Sequence, residues 1–426
     1  MASIHYVFFR TRCFLALLVW LGGVAGCASF APNVEGVIAT VPSEEQTAAR
    51  PAVVLIGDIG VRRGDDTVRL AERVGRELEG APGAPVVVLG DVFYIAGLKG
   101  ECPTTPGYSS FGCEEEAGPP TDQLESVLGP YRRALQGHPL VAIGGNHDFY
   151  GGEAAVRNQC ALIPAAGEGW EYYAKGCALD QENPVATLDF GSVVVFAVDS
   201  EPMIRDRGYL DATAVALGAE IDRVRRENPT AWRIVATHHP LETYGSHNGA
   251  TKATGVAKDL YVLRKTLLYP LFFPLEWWLG AQDPYELRYR RYRRAMYDVF
   301  RAHPIDAFAS GHDHSLQHIR IEHPGVPVQI VSGAGAHRSP VQLYGLDLLW
   351  LNRLGRAVGL ESVIPAPRHA LEFGMGGELE GALSGYGFVV LSPEPGEPSS
   401  DDAGRLVVDY IDPAREAALH TAHIHR

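Results

Sequence analysis

Residues 140–148 read LVAIGGNHD. Four apolar residues run into two glycines, an amide, an imidazole and a carboxylate. An apolar run of that length, bounded by turn residues, reads as a buried strand. Whatever follows it stands at a strand end, where a rigid sheet fixes side chains that a loop alone would leave mobile. The arrangement recurs on both sides. Ala52–Ile56 ends in GDIG at 57–60, and Val86–Leu89 ends in GDVFY at 90–94. Ile234–Thr237 runs into His238 and His239, and Ile305–Ala309 runs into GHDH at 311–314. Alone, a Gly-Asp pair is a turn and a single histidine is a hydrogen-bonded core residue. Five such clusters in order, each at a predicted strand end, are not explained that way.

Between and beyond these strands the pattern alternates. Asp65 or Asp66 caps a predicted helix with Leu70, Val74 and Leu78 on one face. A second helix carries Leu124, Leu128, Tyr131 and Leu135. A third is capped by Asp211, bears Leu217, Ile221 and Val224, and closes at Asn228-Pro229. Further strands are expected over Val193–Val198, Pro327–Val331, Gly387–Leu391 and Leu406–Ile411. Residues 248–300 and 338–384 look inserted. Leu260–Leu279 is aromatic, but Arg264, Lys265, Pro270, Pro274 and Glu276 exclude a membrane-spanning helix. Both insertions read as flaps over the site or as surfaces that meet a bilayer.

The 426 residues are 46% hydrophobic and 21% charged, which is ordinary globular composition. The net charge of −14, from 37 basic and 51 acidic residues, repels phosphate backbones, so no nucleic-acid partner is expected. An acidic protein that handles phosphate needs local positive charge, and metal ions are one source.

At the N-terminus Arg10 and Arg12 precede an apolar run, Phe14–Ala25, that ends in Val24-Ala25-Gly26-Cys27. Small residues mark a secretory cleavage point. A cysteine directly after them resembles the bacterial lipoprotein signal, although an ordinary signal peptide with an incidental cysteine is the alternative. The resemblance implies an exported chain, held to the lipid bilayer of a bacterial cell envelope through acylated Cys27. Ala28, where an Asp would favour the inner membrane, points to the outer membrane, facing the periplasm or the surface. The expected division is a signal peptide at 1–26, a tether at 27–50, one domain at 51–415 with the two insertions, and a tail at 416–426. With Cys13 removed and Cys27 lipidated, Cys102, Cys113, Cys160 and Cys177 remain. An even number in an exported chain suggests two disulfides, with three possible pairings. Cys102–Cys113 and Cys160–Cys177 are favoured because they close short loops. His420, His423 and His425 are capable of holding a metal but read first as an exposed tail. Arg288–Arg294 reads as the solvated face of a helix with Asp283 at its N-cap and Pro284 at its first position.

Taken together, GDIG, GDVFY, GNHD, VATH (235–238) and GHDH resemble the block set of the calcineurin-like metallophosphoesterases. Tyr94, three residues after Asp91, makes the chain similar to purple acid phosphatases of the small tartrate-resistant kind. The likeness spans roughly residues 52–412 and includes His247, nine residues after His238. It implies an α+β fold, a four-layer αββα sandwich of two mixed β-sheets flanked by helices. It also implies that Asp58, Asp91, Tyr94 and His314 hold Fe(III), and that Asp91, Asn146, His238 and His312 hold a divalent ion (Fe, Zn or Mn). Hard carboxylate and phenolate donors suit Fe(III), and neutral imidazole and amide suit the divalent partner. Two ions about 3.5–4 Å apart clamp the attacking and leaving oxygens of a phosphate ester, attacked by metal-bound hydroxide. His147 and His247 would bind phosphate and protonate the leaving alkoxide, with Asp148 orienting His147. His239 stands where the tartrate-resistant kind has a tyrosine, which bears on substrate preference. The expected activity is hydrolysis of phosphate monoesters. A phosphodiesterase or nucleotidase on the same centre, or an inactive surface-binding protein, are the alternatives.

Overall fold

The computed structural model describes residues 33–34, 36–39, 41–44, 50–60, 65–94, 96–98, 119–248, 287–339, 341–342, 369–376, 386–395 and 404–426. The expected signal peptide, Cys27, Cys102, Cys113, Asp283 and Leu260–Leu279 lie outside them.

Seventeen strands and seven helices are described. The strands are β1 (Asn33–Val34), β2 (Gly36–Ala39), β3 (Val53–Ile56), β4 (Val86–Val88), β5 (Leu140–Ile143) and β6 (Trp170–Tyr173). They continue with β7 (Val185–Asp189), β8 (Val193–Val198), β9 (Trp232–Thr237), β10 (Ala307–Ser310), β11 (Leu316–Ile321) and β12 (Val328–Ser332). The last are β13 (Val341–Gln342), β14 (His369–Gly376), β15 (Phe388–Glu394), β16 (Arg405–Ile411) and β17 (His420–His425). The helices are α1 (Asp65–Glu77), α2 (Pro120–Ala134), α3 (Asn146–Tyr150), α4 (Gly152–Ala166), α5 (Ser200–Arg205), α6 (Arg207–Glu227) and α7 (Leu287–Ala302).

Two mixed sheets carry the fold. One has the order β2-β14-β11-β12-β10-β9-β8-β7, the other β17-β16-β15-β3-β4-β5-β6, and β1 pairs with β13 apart from them. Parallel pairing joins β3, β4, β5 and β6 in one sheet and β8, β9, β10 and β12 in the other. Strand periodicity explains the layers. Val53, Leu55, Val87 and Leu89 face Val195, Ile234, Ala309 and Ile330 across the space between the sheets. Their alternates Val54, Ile56, Val86 and Val88 pack on Leu70, Val74, Leu128 and Tyr131 of α1 and α2. On the far side, Phe196, Val235 and Phe308 pack on Leu217, Ile221, Tyr292 and Phe300 of α6 and α7. Helices, sheet, sheet and helices therefore form four layers, in an α+β arrangement.

Several expectations change. The N-cap of α6 is Asp206, not Asp211: its carboxylate accepts the N–H groups of Gly208 and Tyr209. The stretches read as insertions both contain core elements. α7 buries Tyr289, Tyr292, Met296 and Phe300, and β14 lies inside the larger sheet between β2 and β11. The basic run Arg288–Arg294 is not wholly solvated, because Arg293 is buried and pairs with Glu242. The tether contributes β2, which pairs with β14. The C-terminal tail is β17, paired along its length with β16, and His420 is buried. Cys160 and Cys177 form a disulfide with Cα atoms 5.6 Å apart. Among the described residues, no helix is long and apolar enough to cross a membrane.

Candidate metal centre

β3, β4, β5, β9 and β10 run parallel within their sheets, and the five clusters follow their C-terminal ends. Among the described residues, Asp58, Asp91 and His312 are the non-glycine residues with positive φ, at 60°, 52° and 67°. That left-handed bend costs a side chain roughly 1–2 kcal/mol and is tolerated where the surroundings over-determine it. Close approach demands glycine at two neighbouring positions. At Gly90, with φ of 88°, a Cβ would strike the His238 ring, and at Gly145 it would strike Asp91.

The side chains expected to act together do converge. Tyr94 Oη donates to Asp58 Oδ1 at 2.8 Å and lies 3.0 Å from His314 Nε2. His314 Nε2 is 3.4 Å from Asp58 Oδ1. On the other side, Asn146 Oδ1 lies 2.8 Å from His238 Nε2 and 3.1 Å from His312 Nδ1, and the two ring nitrogens are 3.2 Å apart. Asp91 reaches both halves, with a hydrogen bond to Tyr94 and Oδ1 3.5 Å from His238 Nε2.

In the second half, the lone pairs of His238 Nε2 and Asn146 Oδ1 face one another. His238 Nδ1 faces the Leu89 carbonyl at 2.9 Å, which fixes the proton on Nδ1 and leaves Nε2 a lone pair. Asn146 Nδ2 donates to Tyr150 Oη at 2.8 Å, which turns Oδ1 toward that same nitrogen. Buried acceptors aimed at one another are satisfied by a cation. The first half responds the same way. Burial pushes the Asp58 carboxyl up to about 7, with Asp91 adding to it. Burial, Asp58 and Asp91 raise the Tyr94 phenol well above its usual range, and burial with His247 nearby holds His314 down at about 3. Bound cations reverse the first two shifts and suit a neutral His314. The donor set therefore fits a pair of metal ions.

His147 and His247 stand at the rim, half-buried. The His147 ring is 4.3 Å from Tyr94, and its backbone N–H donates to Asp91 Oδ1 at 2.9 Å. His247, on a short 3-10 turn (Ser246–Asn248), stacks on His312 at 3.9 Å. Asp148, expected to orient His147, is buried. Its carboxylate accepts the backbone N–H groups of Gly145, Val92 and Phe93 at 2.9, 3.2 and 3.1 Å. It ties the loop after β4 to the loop after β5, and burial raises its pKa.

Three further neighbours line the centre. His337 stacks on His314 at 4.5 Å and meets Tyr94 edge-on at 4.5 Å. Its signal is its place just after β12, another strand ending at this edge. His239 lies with its ring 4.4 Å from that of His312 and groups with His238 and His312 as possible ligands. Asp313, between His312 and His314, is buried and turned toward residues 243–246.

Known proteins bear on this arrangement. Purple acid phosphatase 4 of Arabidopsis thaliana is 23% identical over 326 residues, covering 73% of this chain and 75% of that protein. GAP50, the anchor in the inner membrane complex of Plasmodium, aligns at a TM-score of 0.42 with 14% identity, over 88% of each chain. PhoD aligns at 0.44 with 10% identity, over 91% of this chain and 70% of its own. Scores that low carry no weight in the assignment. The family model described as calcineurin-like phosphoesterase matches residues 51–316, from the start of β3 through all five clusters. A match over more than half of the chain, ending just past His314, makes this protein a member of the calcineurin-like phosphoesterase family.

Proposed function

We propose that the chain is an acid phosphatase, a hydrolase of phosphate monoesters built on Fe(III) and a divalent ion of iron, zinc or manganese. Membership of the family makes it a phosphoester hydrolase with a dinuclear metal centre. The finer reading rests on the asymmetry of the donors. One half offers Asp58, Tyr94 and His314, and the other offers Asn146, His238 and His312, with Asp91 in contact with both. Phenolate beside carboxylate favours a trivalent iron, whereas amide and imidazole favour a divalent ion. When bound, the pair supplies Lewis-acid activation of water and of the phosphoryl oxygens.

The chain's own groups do the rest. His238 is held in one tautomer by the Leu89 carbonyl, and Asn146 in one orientation by Tyr150. His147 and His247, on opposite halves of the rim, hold non-bridging oxygens of the phosphate. One of the two passes a proton to the departing alkoxide oxygen. Asp148 keeps the two loops that carry Asp91 and Asn146 in register.

Turnover of p-nitrophenyl phosphate beside bis(p-nitrophenyl) phosphate, with metal analysis of the same sample, tests this reading. Monoester turnover at least tenfold faster, with one iron per chain, is expected. Preference for the diester would make the protein a phosphodiesterase, and no turnover of either would make it a binding protein. We further propose that Cys27 is acylated and anchors the protein to a bacterial envelope. Absence of labelled fatty acid from the wild-type chain would refute that.

A further inference from the structure

β17 places its histidines on two different faces. His420, Ala422 and Ile424 turn inward, and His420 stacks on Phe373 at 4.6 Å with the rings 4° from parallel. His423 and His425 alternate to the opposite face. Glu44 is brought to them by the chain that precedes β3. Its backbone N–H donates to the Thr421 carbonyl at 2.9 Å, and Thr421 N–H donates to Ser43 Oγ at 2.9 Å. The Glu44 carboxylate then meets His423 Nδ1.

That nitrogen faces contradictory partners. Arg405 Nη1 lies 3.2 Å away and requires a lone pair, while the carboxylate requires a proton. Burial pushes the His423 imidazole below its usual range against the pull of Glu44. A neutral ring is therefore set against a carboxylate, with His425 two residues on. Arg405 is itself paired with Glu394.

We propose that Glu44, His423 and His425, whose ligand atoms all lie within 4.8 Å of one another, form a second metal site for one Zn(II)-like ion. Two imidazoles and a carboxylate, with Glu44 and His425 exposed to solvent, are a donor set that suits zinc and its neighbours. The site is separate from the dinuclear centre. β17 is three strands from β3, roughly 14 Å at ordinary strand spacing. His425 pairs with Arg405, and Arg405 with Glu394, at the end of the sheet opposite the loops that carry Asp58 and Asp91. Its consequence is mechanical. An ion there staples residues 41–44 to the last strand and closes an otherwise open sheet edge.

The test is a Zn(II) titration of the purified full-length protein after its main centre is loaded, read by calorimetry and by metal analysis. One additional equivalent is expected in the wild type. Exposed His425→Ala and Glu44→Gln should each abolish it, with far-UV circular dichroism and p-nitrophenyl phosphate turnover unchanged. The additional equivalent should also raise the melting temperature of the wild type alone. No additional equivalent in the wild type, or one that survives both substitutions, overturns the proposal.

Discussion

The Asp313 carboxylate accepts the backbone N–H of Ser246 at 3.0 Å, one residue before His247. Thr243 Oγ1 donates to the other carboxylate oxygen, and Gln317 Oε1 takes the N–H of Tyr244 at 2.8 Å. The loop that carries His247 is thus wound on a residue standing between His312 and His314. Asp313→Asn removes one acceptor and leaves all seven proposed ligands. Metal content should stay near wild type while kcat falls about 10–100-fold, with a smaller change in KM. Combined with His247→Ala, the loss should be far from additive, because both act through one side chain. Additive losses would show that Asp313 serves something other than His247.

His147→Ala and His247→Ala should each keep both metals and lower turnover about 10- to 1,000-fold. If His147 is the acid, its removal should matter less for nitrophenyl phosphate than for an alkyl phosphate, since a nitrophenolate leaves without protonation. Equal losses on the two substrates would remove His147 from that role. Loss of metal from either variant would make it a ligand.

Tyr94→Phe tests the trivalent ion. A phenolate on Fe(III) colours a protein, so the wild type should absorb in the visible and the variant should not. The fold should persist, because the ring keeps its contact with His147. A colourless wild type that is fully active without iron would contradict the proposed metal pair.

A buried network away from the metals predicts behaviour in acid. Burial alone would raise the Glu242 carboxyl, but Arg293 and His369 outweigh it and hold it at about 2. Glu242 also accepts Tyr297 Oη at 2.8 Å and lies 3.0 Å from His369 Nε2. A folded pKa below the unfolded value of about 4.3 means that the stabilisation is complete above that value and fades as pH falls toward 2. Glu242→Gln should therefore cost about 3–5 kcal/mol near neutrality. Thermal melts from pH 7 to pH 2 should show the difference shrinking only below about pH 4.3. A difference constant across that range would rule out the ion pair as its source.

The metal-bearing half of the fold was legible because its strands are buried on both faces. β3, β4, β5, β9 and β10 read as near-continuous apolar runs, and each stops at residues too polar to belong to the interior. Elsewhere the local pattern misleads. HTAHIH in β17 and HALEFGMG in β14 carry no strong strand signal; they are strands because a neighbour pairs with them. Arg293 reads as a surface charge, since its partner Glu242 is 51 positions away. The backbone amides that the Asp148 carboxylate accepts leave no trace in residue type.

The bent backbone at Asp58, Asp91 and His312 has a consequence for how such a centre decays. Were hydrolysis no longer under selection, those three positions would not drift freely. Valine or isoleucine would clash at positive φ, so glycine and asparagine would be the favoured replacements. Among the described residues, Tyr94, Asn146, His238 and His314 have no such conformation, so backbone geometry sets no such limit on what replaces them. A descendant that has lost its metals should therefore still bear their outline, as glycines or asparagines after β3, β4 and β10.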